Sequence, residues 1–194
     1  MKTDVITISS EGNNMDAALE QIEKISVYKG LSPQSTITLR LLTEEVLAMM
    51  RAIAGNVNGE FWIEDQDSVY ELHLLVRTLV DEKIRKQLLA ASSSGRNEAT
   101  RGFMGKVRSF FEPSSGVPMF SAGFAGGAPQ MYESYTWSMD DYRDQLRQRQ
   151  ELDQRDGQEE WDELEKSVVA HAADEIRISI RGRTAEMILF KKLA

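Results

Sequence analysis

Residues 60–79, EFWIEDQDSVYELHLLVRTL, contain two β-prone segments on either side of a short polar loop. Residues 60–64 and 69–79 are rich in the aromatic and β-branched side chains that strands favour, whereas residues 65–68 are mostly small and polar. Two such segments separated by so short a loop predict a β-hairpin. The elements on either side then indicate what packs against it.

The chain begins with a short β-prone run at residues 5–8. Asn13 and Asn14 follow as predicted helix N-caps, and apolar residues then recur at helical spacing. Gly30 is placed to end this first helix, because glycine readily adopts the left-handed conformation of a helix C-terminus.

A second helix is predicted to begin at Ser32, which can cap it, with Pro33 in its first turn. Its apolar residues continue to about position 53, and we expect Gly55 to end it. Asn58 and Gly59 then predict a turn that leads into the hairpin.

After the hairpin, residues 82–91 and 97–111 are predicted to be helical. Residues 112–137 contain three prolines, four glycines and five aromatics without periodicity, which is typical of a lid, a binding loop or a disordered segment. One interpretation makes the loop a partner-binding surface, and the other a segment that packs only partly. The candidate partner-binding residues are Phe120, Phe124, Tyr132, Tyr135 and Trp137.

Ser138 and Asp141 predict the start of a polar, acidic helix over about residues 138–156. Apolar residues at helical spacing between positions 161 and 172 predict one more helix. The isoleucines at 176, 178 and 180 then alternate with polar residues, Gly182 supplies a turn, and residues 185–191 return as a strand.

Strands therefore come in hairpins and helices in pairs, which favours an α+β fold over a doubly wound parallel sheet. We predict one domain over residues 1–194, with residues 112–137 as an insertion. The architecture is a two-layer α/β sandwich whose sheet is mixed but mostly antiparallel, with its helices on one face.

Composition excludes several classes of function. The 194 residues include no cysteine, so disulfides, thiol catalysis and zinc–thiolate sites are excluded. The net charge of −8 argues against general nucleic-acid binding. With only His73 and His171 present, both of which we interpret as structural or solvent-facing, we predict no metal site. The lack of any long apolar run predicts a cytoplasmic protein without membrane contact.

Three stretches carry a family resemblance: Ile6-Thr7-Ile8, Lys29-Gly30-Leu31 and LLTEEVLAMMRAIA at residues 41–54. Together with the order of elements, they resemble the GHKL superfamily of ATPases, which has the histidine-kinase-like or Bergerat fold. The match runs over about residues 5–79 and 161–193 and is closest to the bacterial anti-sigma-factor branch. The resemblance implies the histidine-kinase-like fold and a nucleotide site beside the second helix.

The resemblance also identifies departures from the family's nucleotide site. Glu45 matches the glutamate that positions a water, but Met49 occupies the position of the asparagine that holds magnesium. A thioether cannot coordinate this hard cation, and methionine is a typical core filler. Asp81 matches the adenine-binding aspartate, while Lys83 and Arg85 replace the glycines that follow it. Glu163-Leu164-Glu165 stands where the family usually has Gly-Leu-Gly.

The favoured hypothesis is a regulatory protein-interaction module, without a cofactor, whose Mg-ATP binding is weakened or lost. The family implies another regulatory protein as partner, of the sigma-factor or anti-sigma-antagonist type, and a homo-oligomer stays open.

The alternative is a nucleotide-binding regulator, such as an anti-sigma-type serine kinase or an ATPase, that takes ATP and magnesium. Glu45 would be its general base, and Asp81, Lys83, Arg85 and Arg96 would form an altered pocket. A small-molecule sensor closed by the aromatic loop is a third hypothesis.

Overall fold

The computed structural model describes residues 1–53, 56–77, 107, 134–151, 161–181 and 184–193. Its strands are β1 (Ile6–Ser9), β2 (Asn58–Gln66), β3 (Val69–Arg77), β4 (Ser134–Ser138), β5 (Glu175–Arg181) and β6 (Thr184–Lys192). Its helices are α1 (Met15–Lys29), α2 (Pro33–Ala52), α3 (Met139–Glu151) and α4 (Val168–Ala172). The predicted helices at 82–91 and 97–111 lie outside the described residues, apart from the buried Val107.

The six strands form one sheet in the order β1-β2-β3-β6-β5-β4. The α+β prediction is confirmed, but the prediction of a mixed sheet is wrong, since every pairing of the described strands is antiparallel. The two predicted hairpins meet through β3 and β6, which also run in opposite directions. The hairpin pairs β2–β3 and β5–β6 are consecutive in the chain, whereas the central pair β3–β6 joins strands that are distant in the sequence.

The β2–β3 hairpin closes through a two-residue turn, with Gln66 opposite Val69. Asp67 and Ser68 both have left-handed backbones, with φ of 51° and 65°. Two consecutive positive φ values are typical of a type I′ turn, whose twist matches that of the strands it joins. The hairpin prediction is confirmed for β3 as far as Arg77, and residues 78 and 79 of the predicted strand lie outside the described residues.

One face of the sheet packs against the helices. A side-chain carbon added at Gly59 would meet Met50 Cε of α2 at 3.4 Å, so α2 lies over this position of β2. The ring contact between Trp137 of β4 and Tyr142 of α3, with centroids 5.9 Å apart, places α3 against the other end of the sheet. The core between the layers includes Ile8, Leu39, Phe61, Ile63, Leu72, Leu74, Ile178, Met187 and Leu189.

Local capping signals fix the connection between α1 and α2. Gly30 adopts φ 64° after α1, and Leu31 N donates to Ser26 O at 2.9 Å, as in a glycine-terminated helix. Ser32 Oγ accepts a hydrogen bond from Ser35 N at 3.1 Å, and Pro33 opens α2. Both predicted boundaries are confirmed.

Two local predictions about asparagines are wrong. Asn14 precedes α1 with φ 58° and makes no side-chain cap, because its Nδ2 donates instead to Thr7 O of β1 at 2.9 Å. Asn58 and Gly59 form no turn but the start of β2, where they pair with Ser9 and Ile8. Pairing with β1 outweighs the local turn preference there.

The second half of the chain differs from prediction in two places. Residues 134–138, expected to end a loop, form edge strand β4 against β5. The single helix expected over 161–172 is two segments, 161–165 and α4, because Ser167 Oγ accepts from Ala170 N at 3.3 Å and starts a new helix. The predicted cap at Ser138 is confirmed, with Asp141 N donating to its Oγ at 3.1 Å.

Within the described ranges, no helix combines the length and the apolar character needed to cross a membrane. α2 is the longest helix described, at 20 residues, and it contains charged side chains along its length.

Candidate functional site

The helix that carries the family resemblance is α2, and its two key positions lie in different surroundings. Glu45 is half-buried, whereas Met49 is 4% exposed and belongs to the hydrophobic core. The next residue, Met50, is fully buried over β2. The prediction that Met49 fills the core is confirmed.

Most other predicted site residues are not among the described residues. Asp81, Lys83, Arg85 and Arg96 of the altered pocket lie outside them, as do Phe120, Phe124 and Tyr132 of the aromatic loop. The backbone of Tyr135 pairs with Ile180 in the sheet. Trp137 is 5% exposed and packs in the core, so its indole is not available at the surface.

The most exposed large apolar side chains among the described residues lie on the α1–α2 helix pair, toward its connection at Gly30. Val27 is 84% exposed, Tyr28 75% and Ile37 60%. Glu23 Oε1 of α1 and Arg40 Nη1 of α2 form an ion pair at 2.7 Å that joins the helices nearby. We call Val27, Tyr28 and Ile37 the helix-hairpin surface.

The Glu23–Arg40 ion pair relates the positions of Val27 and Ile37. Val27 follows Glu23 by four residues, and Ile37 precedes Arg40 by three, so each lies about one helical turn from the ion pair. In both helices, that turn is on the Gly30 side of the ion pair, where the two helices are connected. Val27 and Ile37 therefore lie on the side of the helix pair that carries the ion pair, near its Gly30 end, and Tyr28 lies next to Val27 at about 100° around α1.

No family model, curated protein or solved structure matches the chain. The resemblance to the histidine-kinase-like ATPases therefore stays a prediction.

A second cluster lies on the sheet face that points away from α2. Trp62 and His73 are cross-strand partners, and their rings stack 4.6 Å apart with 10° between the planes. His73 Nδ1 lies 3.2 Å from Glu186 Oε1. Its Nε2 lies 3.4 Å from Glu71 Oε2 and 4.0 Å from Glu64 Oε1, without hydrogen-bond geometry. His73 is 6% exposed, so it is buried rather than solvent-facing.

Glu64 is the best-connected carboxylate of this cluster. Lys2 Nζ donates to it at 3.0 Å and Trp62 Nε1 at 2.8 Å. These two hydrogen bonds lower the pKa of Glu64 below its ordinary value despite some burial. Lys2 Nζ also lies 4.5 Å from the centroid of the Trp62 ring. These contacts tie the N-terminal residues to β2.

No group of three or more His, Asp and Glu side chains is arranged to hold a metal ion in the part of the chain that the structure describes. The contacts of His73 and Glu64 join β2, β3 and β6 to one another. Sequence reasoning missed the cluster because Glu186 is 113 residues from His73 along the chain.

A shallow crevice of about 280 Å³ lies at the end of the sheet where β2 begins. Its charged groups are Glu60 and Arg77, which pair with each other at 3.3 Å and are both substantially exposed. The lining residues are Thr7, Asn56, Val57, Asn58, Gly59, Glu60, Leu75 and Arg77, none of which is a predicted site residue. No buried polar group lacking a partner belongs to this lining.

Among these features, the helix-hairpin surface best matches a binding function. Isolated exposed apolar residues are ordinary, but large apolar side chains grouped on one surface are typical of protein contacts. Tyrosine is also enriched at such contacts, because its ring is apolar and its hydroxyl can form a hydrogen bond.

Proposed function

We propose that this protein is a regulatory protein-interaction module on a histidine-kinase-like ATPase scaffold, with Mg-ATP binding weakened or lost. The observation that carries the binding role is the helix-hairpin surface, where Val27, Tyr28 and Ile37 are all more than half exposed. The expected partner is another regulatory protein, of the type that the family resemblance implies.

The loss of nucleotide binding is supported by the surroundings of Met49. In the family to which the chain bears a resemblance, the corresponding asparagine reaches a phosphate-bound magnesium ion. Here the side chain is 4% exposed and packed in the core. Neither its chemistry nor its position suits a hard cation that prefers oxygen ligands.

The scaffold part of the proposal is supported by the order of elements. A strand and two helices precede the first hairpin, and a second hairpin ends the chain. This is the order on which the family resemblance was based, and the sheet places both hairpins side by side.

Titration with ATP is expected to give no measurable binding, with or without magnesium. Isothermal titration calorimetry measures it directly, and a thermal-shift series checks it, since ligand at 100 times its Kd adds about 2.7 kcal/mol of stability. A parallel titration in EDTA separates metal-dependent binding from any other nucleotide contact. A micromolar Kd that requires magnesium would contradict the proposed loss and favour the nucleotide-binding alternative.

Replacing the helix-hairpin surface with serines, in the triple variant Val27→Ser, Tyr28→Ser and Ile37→Ser, is expected to reduce partner retention at least about tenfold, or about 1.4 kcal/mol. Stability should change little, because substitutions at such exposed positions usually cost within about 0.5 kcal/mol each. The measurement is quantitative mass spectrometry of proteins retained from source cells by tagged wild type and variant.

The matched control is Ala48→Ser with Ala52→Ser, at exposed positions elsewhere on α2. It should retain the same proteins as the wild type. If the triple variant folds and also retains them all, the helix-hairpin surface is not the contact and the binding role loses its support.

A further inference from the structure

His73 lies among three glutamates on the sheet face that points away from α2. Glu71 precedes it by two residues on β3, so both side chains lie on the same face. Glu64 of β2 is the cross-strand partner of Glu71, and Glu186 of β6 contacts the ring from the other side of β3. Carboxyl groups from three strands therefore meet around one imidazole.

The contact with Glu186 decides which ring nitrogen of His73 donates. Nδ1 lies 3.2 Å from Glu186 Oε1, and the oxygen of an ionised carboxylate can only accept a hydrogen bond. Nδ1 is therefore the donor, and Nε2 of the neutral ring presents a lone pair. Metal-binding histidines have this form, because a carboxylate on the other nitrogen fixes the tautomer and orients the ring.

Nε2 of His73 faces two further acceptors. It lies 3.4 Å from Glu71 Oε2 and 4.0 Å from Glu64 Oε1, and it has no hydrogen-bond partner among the described residues. His73 is 6% exposed, so bulk water screens this nitrogen little. Lone pairs and negative charges that converge on one place repel each other, and a cation between them removes that repulsion.

The separation of the two nearest donors fits a zinc ion. Zinc binds histidine nitrogen and carboxylate oxygen at about 2.0–2.2 Å, and two such ligands at a tetrahedral angle are about 3.4 Å apart. His73 Nε2 and Glu71 Oε2 have this separation. Glu64 Oε1 is farther away, so three donors enclose an ion only after the Glu64 side chain moves closer.

We propose that His73 Nε2, Glu71 and Glu64 bind one zinc ion, with water as the fourth ligand, and that Glu186 orients the His73 ring. One imidazole and two carboxylates suit this borderline cation. The ion also offsets the repulsion between Glu64 and Glu71, like charges placed directly opposite each other on neighbouring strands. The sequence prediction of no metal site rested on the count of two histidines, and this site needs only one.

The contacts of Glu64 allow the movement that the site requires. Lys2 Nζ and Trp62 Nε1 donate to Glu64 Oε1 at 3.0 and 2.8 Å. The side chains of Lys2 and Glu64 are 52% and 40% exposed, and an ion pair this exposed is weak enough to open. Zinc then replaces the Lys2 ammonium as the counter-charge of Glu64. Trp62 stays stacked on the His73 ring and limits its rotation.

Calorimetric titration of the tag-free, EDTA-treated protein with zinc chloride tests the proposal. We expect one zinc ion per chain, and no comparable binding of magnesium or calcium, because those cations prefer sites made of oxygen alone. Histidine side-chain NMR locates the ion. The Nε2 resonance of His73 should shift on addition of zinc while Nδ1 keeps its proton, and the exposed His171 is the internal control.

Variants separate the ligands from the residue that orients the ring. Glu186→Ala leaves all three ligands in place and is expected to weaken zinc binding about 10–100-fold. Glu71→Gln removes a ligand and should weaken it further. Glu60→Gln is the matched control, since Glu60 lies on the same strand as Glu64 with similar exposure, 38% against 40%, but pairs with Arg77. It should bind zinc as the wild type does.

Two results with the wild type alone would overturn the proposal, whether or not the variants fold. The first is no zinc binding tighter than about 1 mM, and the second is a zinc-induced shift of His171 without one of His73. Equal binding of zinc, magnesium and calcium would also overturn it, because it would indicate only diffuse attraction to an acidic surface. So would equal zinc affinities of folded Glu71→Gln and Glu60→Gln.

Discussion

Replacing Met49 with asparagine is expected to lower the free energy of unfolding by about 3–5 kcal/mol and not to create Mg-ATP binding. The substitution restores the residue type that the family resemblance implies at this position. However, the side chain is 4% exposed in an apolar core, so the amide would lose its hydrogen bonds to water without gaining partners. The shorter side chain would also leave a void.

Urea denaturation of wild type and variant measures the stability change, and calorimetric titration measures ATP binding. Met49→Leu is the control, since an apolar residue of similar volume should cost less than about 1.5 kcal/mol. An asparagine variant that is as stable as the wild type and binds Mg-ATP would mean that this helix face meets a ligand, against the proposed function.

Truncating Phe61 to alanine is expected to cost about 3–5 kcal/mol, because it removes one of the largest fully buried side chains of the sheet. Phe61 stands opposite Ile6 of β1 and Leu74 of β3, so its ring joins the edge strand to the hairpin. Since small domains are stable by only about 5–15 kcal/mol, this loss would remove a large part of the total.

The measurement is again urea denaturation. The two unfolding midpoints are compared with the same dependence of the unfolding free energy on urea concentration for both proteins. Gln66→Ala provides the control on the same strand, because Gln66 is exposed at the turn end and should change stability by less than about 0.5 kcal/mol. A cost below about 1 kcal/mol for Phe61→Ala would contradict the core packing between β1, β2 and β3.

Sequence reasoning succeeded where the signal is local. Gly30, Ser32 with Pro33, and Ser138 with Asp141 mark helix boundaries through contacts within a few residues, and the structure contains those contacts. The alternation before Gly182 likewise predicted β5, whose isoleucines 176 and 178 face the core.

The same reasoning failed where a distant partner decides the conformation. Residues 134–138 are a strand because β5 pairs with them, although their own composition resembles a loop. Asn58 and Gly59 have a strong turn preference that β1 overrides by pairing. A local pattern contains no information about a strand some 40 or 50 residues away.

For the candidate site, too, the sequence predicted some features and the tertiary structure alone showed others. The sequence identified Glu45 and Met49 and indicated that methionine suits a core, and the burial of Met49 agrees. It did not indicate the helix-hairpin surface, because helical periodicity places Val27 away from Ile22 but does not show whether another element covers it. Exposure depends on what the rest of the fold covers.

The sequence by itself determined the α+β class, the two hairpins, the end of α1 and the start of α2, since capping, turn chemistry and residue periodicity act over a few residues. Tertiary structure alone decided that β3 lies beside β6, that Trp62 stacks on His73, and that Glu175 accepts a hydrogen bond from Met139 N. Those contacts depend on how the elements pack in three dimensions, and burial then sets the energy of each charge and each exposed apolar side chain.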